Sequence, residues 1–143
     1  MKLPARLVIA TALTGFVAHV AQARDADVFR TLPADRADLD ALRWQARPVL
    51  LFAPDADDPA YRAQMQALRA ETAALRDRDI VVLSDTRPGA KGALRERLGG
   101  DGFRFVLLGK DGGVKLTSPS PVGMSELFAT IDAMPMRQTE MAD

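Results

Sequence analysis

The chain reads as an α/β domain in the order β-α-β-α-β-β-α, with a mixed four-stranded sheet at its centre and helices on its flanks. Three observations predict this. Two short continuous apolar runs, Pro48-Val49-Leu50-Leu51-Phe52-Ala53 and Ile80-Val81-Val82-Leu83, have the length and composition of strands covered on both faces. The stretch between them carries helical spacing, and a β-α-β connection makes its strands parallel neighbours with a right-handed crossover. Two later apolar segments flank Gly109-Lys110-Asp111-Gly112-Gly113, and Asp-Gly between apolar runs is a strong hairpin signal.

Each element follows from local chemistry. Residues 24–43 form a lead-in rich in Asp, Arg and Ala, with a short helical turn near 38–43 and apolar residues that pack along the body of the domain. The first strand, 48–53, stops at Pro54. Asp58-Pro59 is a helix start, because Asp58 accepts from free amides and proline at the first helical position loses no needed hydrogen bond. Tyr61, Met65, Leu68, Thr72 and Leu75 then lie on one stripe, predicting a helix over 59–76. The second strand covers 80–83 and a loop covers 84–92. Ala93, Leu94 and Leu98 support a brief helix that Gly99-Gly100 closes. Residues 103–108 and 114–117 pair antiparallel. After the connector Ser118-Pro119-Ser120-Pro121, the spacing of Met124, Leu127, Phe128, Ile131 and Met134 predicts an amphipathic helix that Pro135 ends. Trp44 and Tyr61 read as the edge of the core.

Composition excludes several functions. The 143 residues contain 19 Lys+Arg, 19 Asp+Glu, one histidine and no cysteine. Balanced charge argues against a nucleic-acid partner, since neutralising phosphates needs a basic excess. Lys2 and Arg6 precede an apolar run over 7–20, followed by Ala21-Gln22-Ala23, the pattern of an export signal cut after Ala23. The run is too short for a spanning helix. The expected product is therefore periplasmic or secreted, with no membrane attachment after cleavage: 1–23 signal, 24–43 lead-in, 44–141 domain. Removing the signal leaves 17 basic and 19 acidic residues and takes away the sole histidine, His19. Without His or Cys, the expected product lacks Ser-His-Asp and Cys-His nucleophiles and the usual zinc ligands.

The order of elements resembles the thioredoxin fold. Trp44 through Pro54, Arg78-Asp79-Ile80-Val81-Val82, Leu107-Leu108-Gly109-Lys110-Asp111-Gly112 and Ile131-Asp132-Ala133-Met134-Pro135-Met136-Arg137 are together similar to a thioredoxin-like "domain of unknown function" family. That family occurs in bacterial exported proteins and is shared with vertebrate sushi-repeat extracellular proteins. The resemblance spans residues 44–141 and implies a peroxiredoxin- or thioredoxin-like shape with no catalytic motif to carry over. Redox-active relatives place W-C-x-x-C between strand and helix, where this chain has Phe52-Ala53-Pro54-Asp55-Ala56-Asp57-Asp58-Pro59. Asp101-Gly102-Phe103 stands where they place a cis-proline.

Several constellations invite a chemical reading. Asp55, Asp57 and Asp58 fall outside the carboxyl end of a strand, where open α/β sheets bind ligands, and Asp85 is expected nearby. Capping and a solvated turn account for the acidic group. As a calcium loop it fails, with Ala60 at the glycine position and Gln66 at the bidentate acid. Strand-Asp-x-Asp also resembles haloacid-dehalogenase-type phosphotransferases, implying Asp55 as nucleophile, Asp57 as acid, Ser84 and Lys91 on the phosphate, and Mg²⁺. The order of the remaining motifs departs from that family, since Gly100-Asp101 precedes its strand. Arg87, Lys91, Arg95 and Arg97 surround a glycine-bearing loop that could receive an anion, or form a solvated basic helix paired in part with Asp85 and Glu96. Met124, Met134, Met136 and Met141 are candidate Cu(I) thioethers, with core packing the simpler account of the first two.

The expectation is a non-catalytic binding domain without metal or cofactor, whose partner is a protein or small ligand held at Asp55, Asp57, Asp58, Asp85, Arg87 and Lys91. The alternative is a carboxylate-based, metal-dependent phosphoryl-transfer or hydrolytic enzyme using Asp55 and Asp57.

Overall fold

The computed structural model describes residues 25–143, so the expected export signal and its cut lie outside the described residues. β2 (Arg47–Phe52) is buried at every position and β3 (Ile80–Asp85) at all but Ser84, as the apolar runs 48–52 and 80–83 require of strands covered on both faces, and the charged ends Arg47 and Asp85 are buried with them. They pair parallel with Val49 beside Val82. β4 (Arg104–Leu108) runs antiparallel to β2, and β5 (Val114–Ser118) antiparallel to β4. Between β4 and β5, the Gly112 amide bonds Gly109 O while Gly112 sits at φ +83°, a left-handed conformation that glycine takes without strain.

The sheet has five strands, ordered β1 (Phe29–Thr31), β3, β2, β4, β5, where the sequence predicts four. The fifth is β1, drawn from the lead-in and paired parallel to β3. Three residues with a central arginine carry no period-2 pattern. Only the free edge of β3 makes them a strand.

Side chains alternate between two cores. On one face Val49, Leu51, Val82, Phe105 and Leu107 meet Leu68 of α1 (Pro59–Ala70), Leu75 of α2 (Thr72–Asp77) and Leu127 and Ile131 of α4 (Met124–Asp132). On the other, Leu50, Phe52, Leu83 and Val106 meet Leu32, Ala46 and Leu94 of α3 (Ala93–Leu98). Gln64 is buried in α1 and clamps the loop before α4 with both ends of its amide, donating to Val122 O (3.1 Å) and accepting from Val122 N (2.7 Å).

The predicted helix over 59–76 is two helices. Glu71 leaves the helical region at φ −117°, and the Thr72 hydroxyl donates to Arg69 O (2.8 Å), offering that carbonyl a partner other than the helix ladder. Pro135 ends α4 as expected, then serves as the first residue of α5 (Pro135–Ala142), whose proline start needs no amide. Trp44, expected at the core edge, is 61% exposed. Its backbone is left-handed (φ +67°) and its amide bonds Lys110 O, so the turn sends Leu42 and Ala46 to the core instead.

The start of α1 follows its predicted chemistry, with the Tyr61 amide donating to Asp58 Oδ2 at 2.9 Å. Asp58→Ala is expected to cost about 1 kcal/mol, and Asp58→Asn much less, read from urea unfolding midpoints. Equal losses for both would discount the cap.

Candidate functional site

The carboxyl ends of the parallel strands β1, β3 and β2 gather the predicted site residues at one end of the sheet. Asp55 and Asp57 are exposed beyond β2, and the Asp57 amide donates to Asp55 Oδ1 (2.8 Å) in a local Asx turn. Asp58 is committed to its cap. Arg87 and Lys91 are exposed on the loop between β3 and α3, with Lys91 in a left-handed conformation (φ +50°). The loop after β3 borders a cavity of about 250 Å³ lined in part by Thr31, Tyr61, Ser84, Asp85, Arg87 and Ala90.

Asp85 and Arg95 are the exception to this solvated character. Both are buried, and the guanidinium grips the end of two strands at once. Arg95 Nε donates to Asp85 Oδ2 (3.0 Å), while Nη2 donates to Ala53 O (2.8 Å) and Asp85 O (2.6 Å). Asp85 Oδ1 also accepts the Arg87 amide (3.0 Å), so both carboxylate oxygens have partners. The Arg95 guanidinium lies 5.6 Å from the centre of the Phe52 ring, within cation–π range. Arg95 therefore leaves the solvated basic group in which the sequence placed it and ties α3 to β2 and β3. The Asp85–Arg95 spacing, ten residues across a loop, carries no local signal.

Chemically, this end offers exposed carboxylates and cations beside a buried, neutral ion pair in which Arg95 Nε and Nη2 are hydrogen-bonded and Nη1 has no partner among the described residues. Among the described residues no three His, Cys, Asp or Glu side chains converge as a metal ion requires. Ser84 Oγ faces Met65 Sδ at 3.9 Å. Of the methionines, Met124 and Met134 pack against the first core, while Met136 and Met141 are exposed.

The opposite end is closed by a second ion-pair system that the sequence reading missed. Glu140 of α5 accepts from Arg47 Nη1 and Nη2 (3.1 Å each) and from Lys110 Nζ (2.7 Å). Lys110 also reaches Asp79 (2.8 Å), and Arg137 joins Asp77 (2.6 Å) to Asp132 (3.2 Å). Burial would raise the Glu140 pKa, but the hydrogen bonds from Arg47 and Lys110 outweigh it and hold it at about 2. For Lys110 and Arg137, burial works against the charge and the carboxylate partners win, raising both. Asp132 is lowered chiefly by Arg78, against its own burial.

A mixed sheet with helices on both faces and no thiol at the strand-to-helix turn defines a cysteine-free domain of thioredoxin-like fold. Residues 38–140 match the family described as Domain of unknown function (DUF4174), and the chain belongs to that family. The fold is similar to that of the reduced 2-Cys peroxiredoxin of Plasmodium vivax, with a TM-score of 0.53 and 16% identity over 71% of this chain and 84% of that one. A second neighbour is the mitochondrial 2-Cys peroxiredoxin of Plasmodium falciparum, with a TM-score of 0.47 and 15% identity over 71% of this chain and 82% of that one. In sequence the chain is similar to the Coiled-coil domain-containing protein 80 of Danio rerio, 29% identical over 134 residues. That match covers 73% of this chain and only 16% of the relative's length.

Proposed function

We propose that this is an exported, non-catalytic thioredoxin-like domain that acts by binding a protein or small ligand at the loops 54–59 and 85–92. The observation that carries the proposal is the Asp85–Arg95 pair. It takes Asp85, the one buried carboxylate among the described residues, and commits it to holding strands together. What faces solvent on these loops is charge of both signs, Asp55 and Asp57 after β2 and Arg87 and Lys91 after β3, with Arg87 also lining a small cavity. Such a surface suits recognition of a partner with mixed charge. Lys2, Arg6 and the Ala21-Gln22-Ala23 pattern support export. Among the described residues, no helix is long and apolar enough to cross a membrane.

The test is capture of partners from the periplasm by the wild-type chain and by Asp55→Lys/Asp57→Lys and Arg87→Glu/Lys91→Glu variants. All are exposed positions, so the melting temperatures should stay within a few degrees of wild type. A partner held by wild type and lost in one charge-reversed pair supports the proposal. Magnesium-dependent phosphatase turnover that disappears in Asp55→Ala would overturn it in favour of the carboxylate enzyme.

A further inference from the structure

The first core ends in hydroxyl groups. On the sheet face that carries Phe29 and Val82, the last such residues of β1 and β3 are Thr31 and Ser84, side by side in the parallel register. The Leu32 amide donates to Ser84 O (2.8 Å) and fixes β1 against β3 at that level. The stripe of α1 packed on the same face runs back from Leu68 through Met65 to Tyr61, so it too reaches a hydroxyl at its first turn. Ser84 is the one position of β3 that is not buried. Thr31, Tyr61 and Ser84 line the cavity of about 250 Å³, together with Asp85, Thr86 and Arg87 of the chain that follows.

What these groups lack is partners. Ser84 Oγ has the Met65 thioether at 3.9 Å, and a thioether is a weak acceptor. Among the described residues, the hydroxyls of Thr31, Tyr61 and Thr86 and the Arg87 guanidinium make no hydrogen bond or ion pair. The Arg87 backbone is nonetheless held in place, because its amide donates to Asp85 Oδ1 (3.0 Å).

Charge and size select the ligand. Of the two charged residues lining the cavity, Asp85 is neutralised by Arg95, which leaves one unpaired positive charge, Arg87. A single guanidinium fork matches a single carboxylate. Hydroxyls both donate and accept, so several around one hollow suit a ligand with hydroxyl groups of its own. A volume of about 250 Å³ lies below the range that takes a drug-sized molecule, so the occupant is small.

We infer that this cavity binds a small hydroxylated carboxylate, with Arg87 pairing with the carboxylate and Thr31, Tyr61 and Ser84 with the hydroxyl groups. The inference rests on the reading of the domain as a binding module and narrows its ligand at the 85–92 loop to a small anion.

The chain has a single tyrosine, so with carbon-13-labelled tyrosine the ring signals of Tyr61 report on the cavity alone. The full chain is titrated with glycerate to about 50 mM at constant ionic strength, beside glycerol, which lacks the charge, and propionate, which lacks the hydroxyls. The expected result is a saturable movement of those signals with glycerate and binding at least about tenfold weaker for each of the other two. Arg87→Gln should weaken glycerate at least about tenfold and Ser84→Ala by a few-fold. Signals that do not move with glycerate overturn the inference, as does glycerol or propionate that binds as tightly, or an Arg87→Gln chain that binds glycerate like wild type. A loss of fold in either variant would show in its circular dichroism, and the three probes on wild type then decide. Capture of a protein partner by a chain that ignores glycerate overturns this inference and leaves the broader reading standing. Magnesium-dependent turnover lost in Asp55→Ala removes the broader reading, whichever way the Tyr61 signals go.

Discussion

Arg95→Met is expected to destabilise the domain by about 3–5 kcal/mol, the cost of leaving a buried partner charge uncompensated. Methionine keeps much of the side-chain volume, so the loss reports on the guanidinium. Three acceptors lose their donor together: the Asp85 carboxylate, Asp85 O and Ala53 O. Asp85→Leu strands the guanidinium in the same buried place and should cost a similar amount. The double variant Asp85→Leu/Arg95→Met is the informative one. It removes both charges at once and should recover most of the loss, because an apolar pair of similar volume often replaces a buried ion pair at little cost. Chemical unfolding of the four proteins gives the coupling directly. Additive losses would mean that Arg95 acts mainly by its carbonyl contacts and by packing on Phe52, and that the charge pair contributes little.

Acid should weaken the other end of the domain first. The Glu140 carboxylate is held at about 2, below its ordinary 4.5, so the unfolded chain binds the extra proton between those values. Its contribution is therefore complete above about pH 4.5 and is lost progressively as the pH falls towards 2. A shift of this size corresponds to about 2–3 kcal/mol once its partial exposure is allowed for. Asp132, also lowered, adds to the same acid limb. Glu140→Gln should lower stability at neutral pH and flatten the limb, so the two proteins converge near pH 2. Parallel curves across that range would remove Glu140 from the account. Arg47 gives the reason for the size of the effect: it is only 1% exposed and depends on Glu140 for its countercharge.

Much of the architecture was legible because its signals are local. The runs at 48–53 and 80–83 had to be covered strands, Asp58-Pro59 had to open a helix, and Asp111-Gly112 had to turn a hairpin; each lies in its element or within a residue or two of it. β1 was illegible for the converse reason, since Phe29-Arg30-Thr31 is a strand only because β3 offers it an edge. The break at Glu71 was hidden by a stripe that stays in phase across it, with Leu68 and Leu75 buried on either side. Of the candidate site, Asp58 could be assigned from its neighbour Pro59. Asp85 could not, because what it does depends on Arg95, ten residues on and across a loop.

By itself the amino-acid sequence determined the class of fold, the absence of thiol chemistry and the family likeness, since these depend on residue types and short spacings. Tertiary structure alone decided which charges are structural. Arg47 and Glu140 are 93 positions apart and Lys110 and Glu140 are 30 apart, and both contacts exist only because α5 folds under the end of the sheet. Tertiary structure also decided that Trp44 stands in water beside a hollow, because the balance between a strained backbone and a buried ring is settled by what packs around the turn.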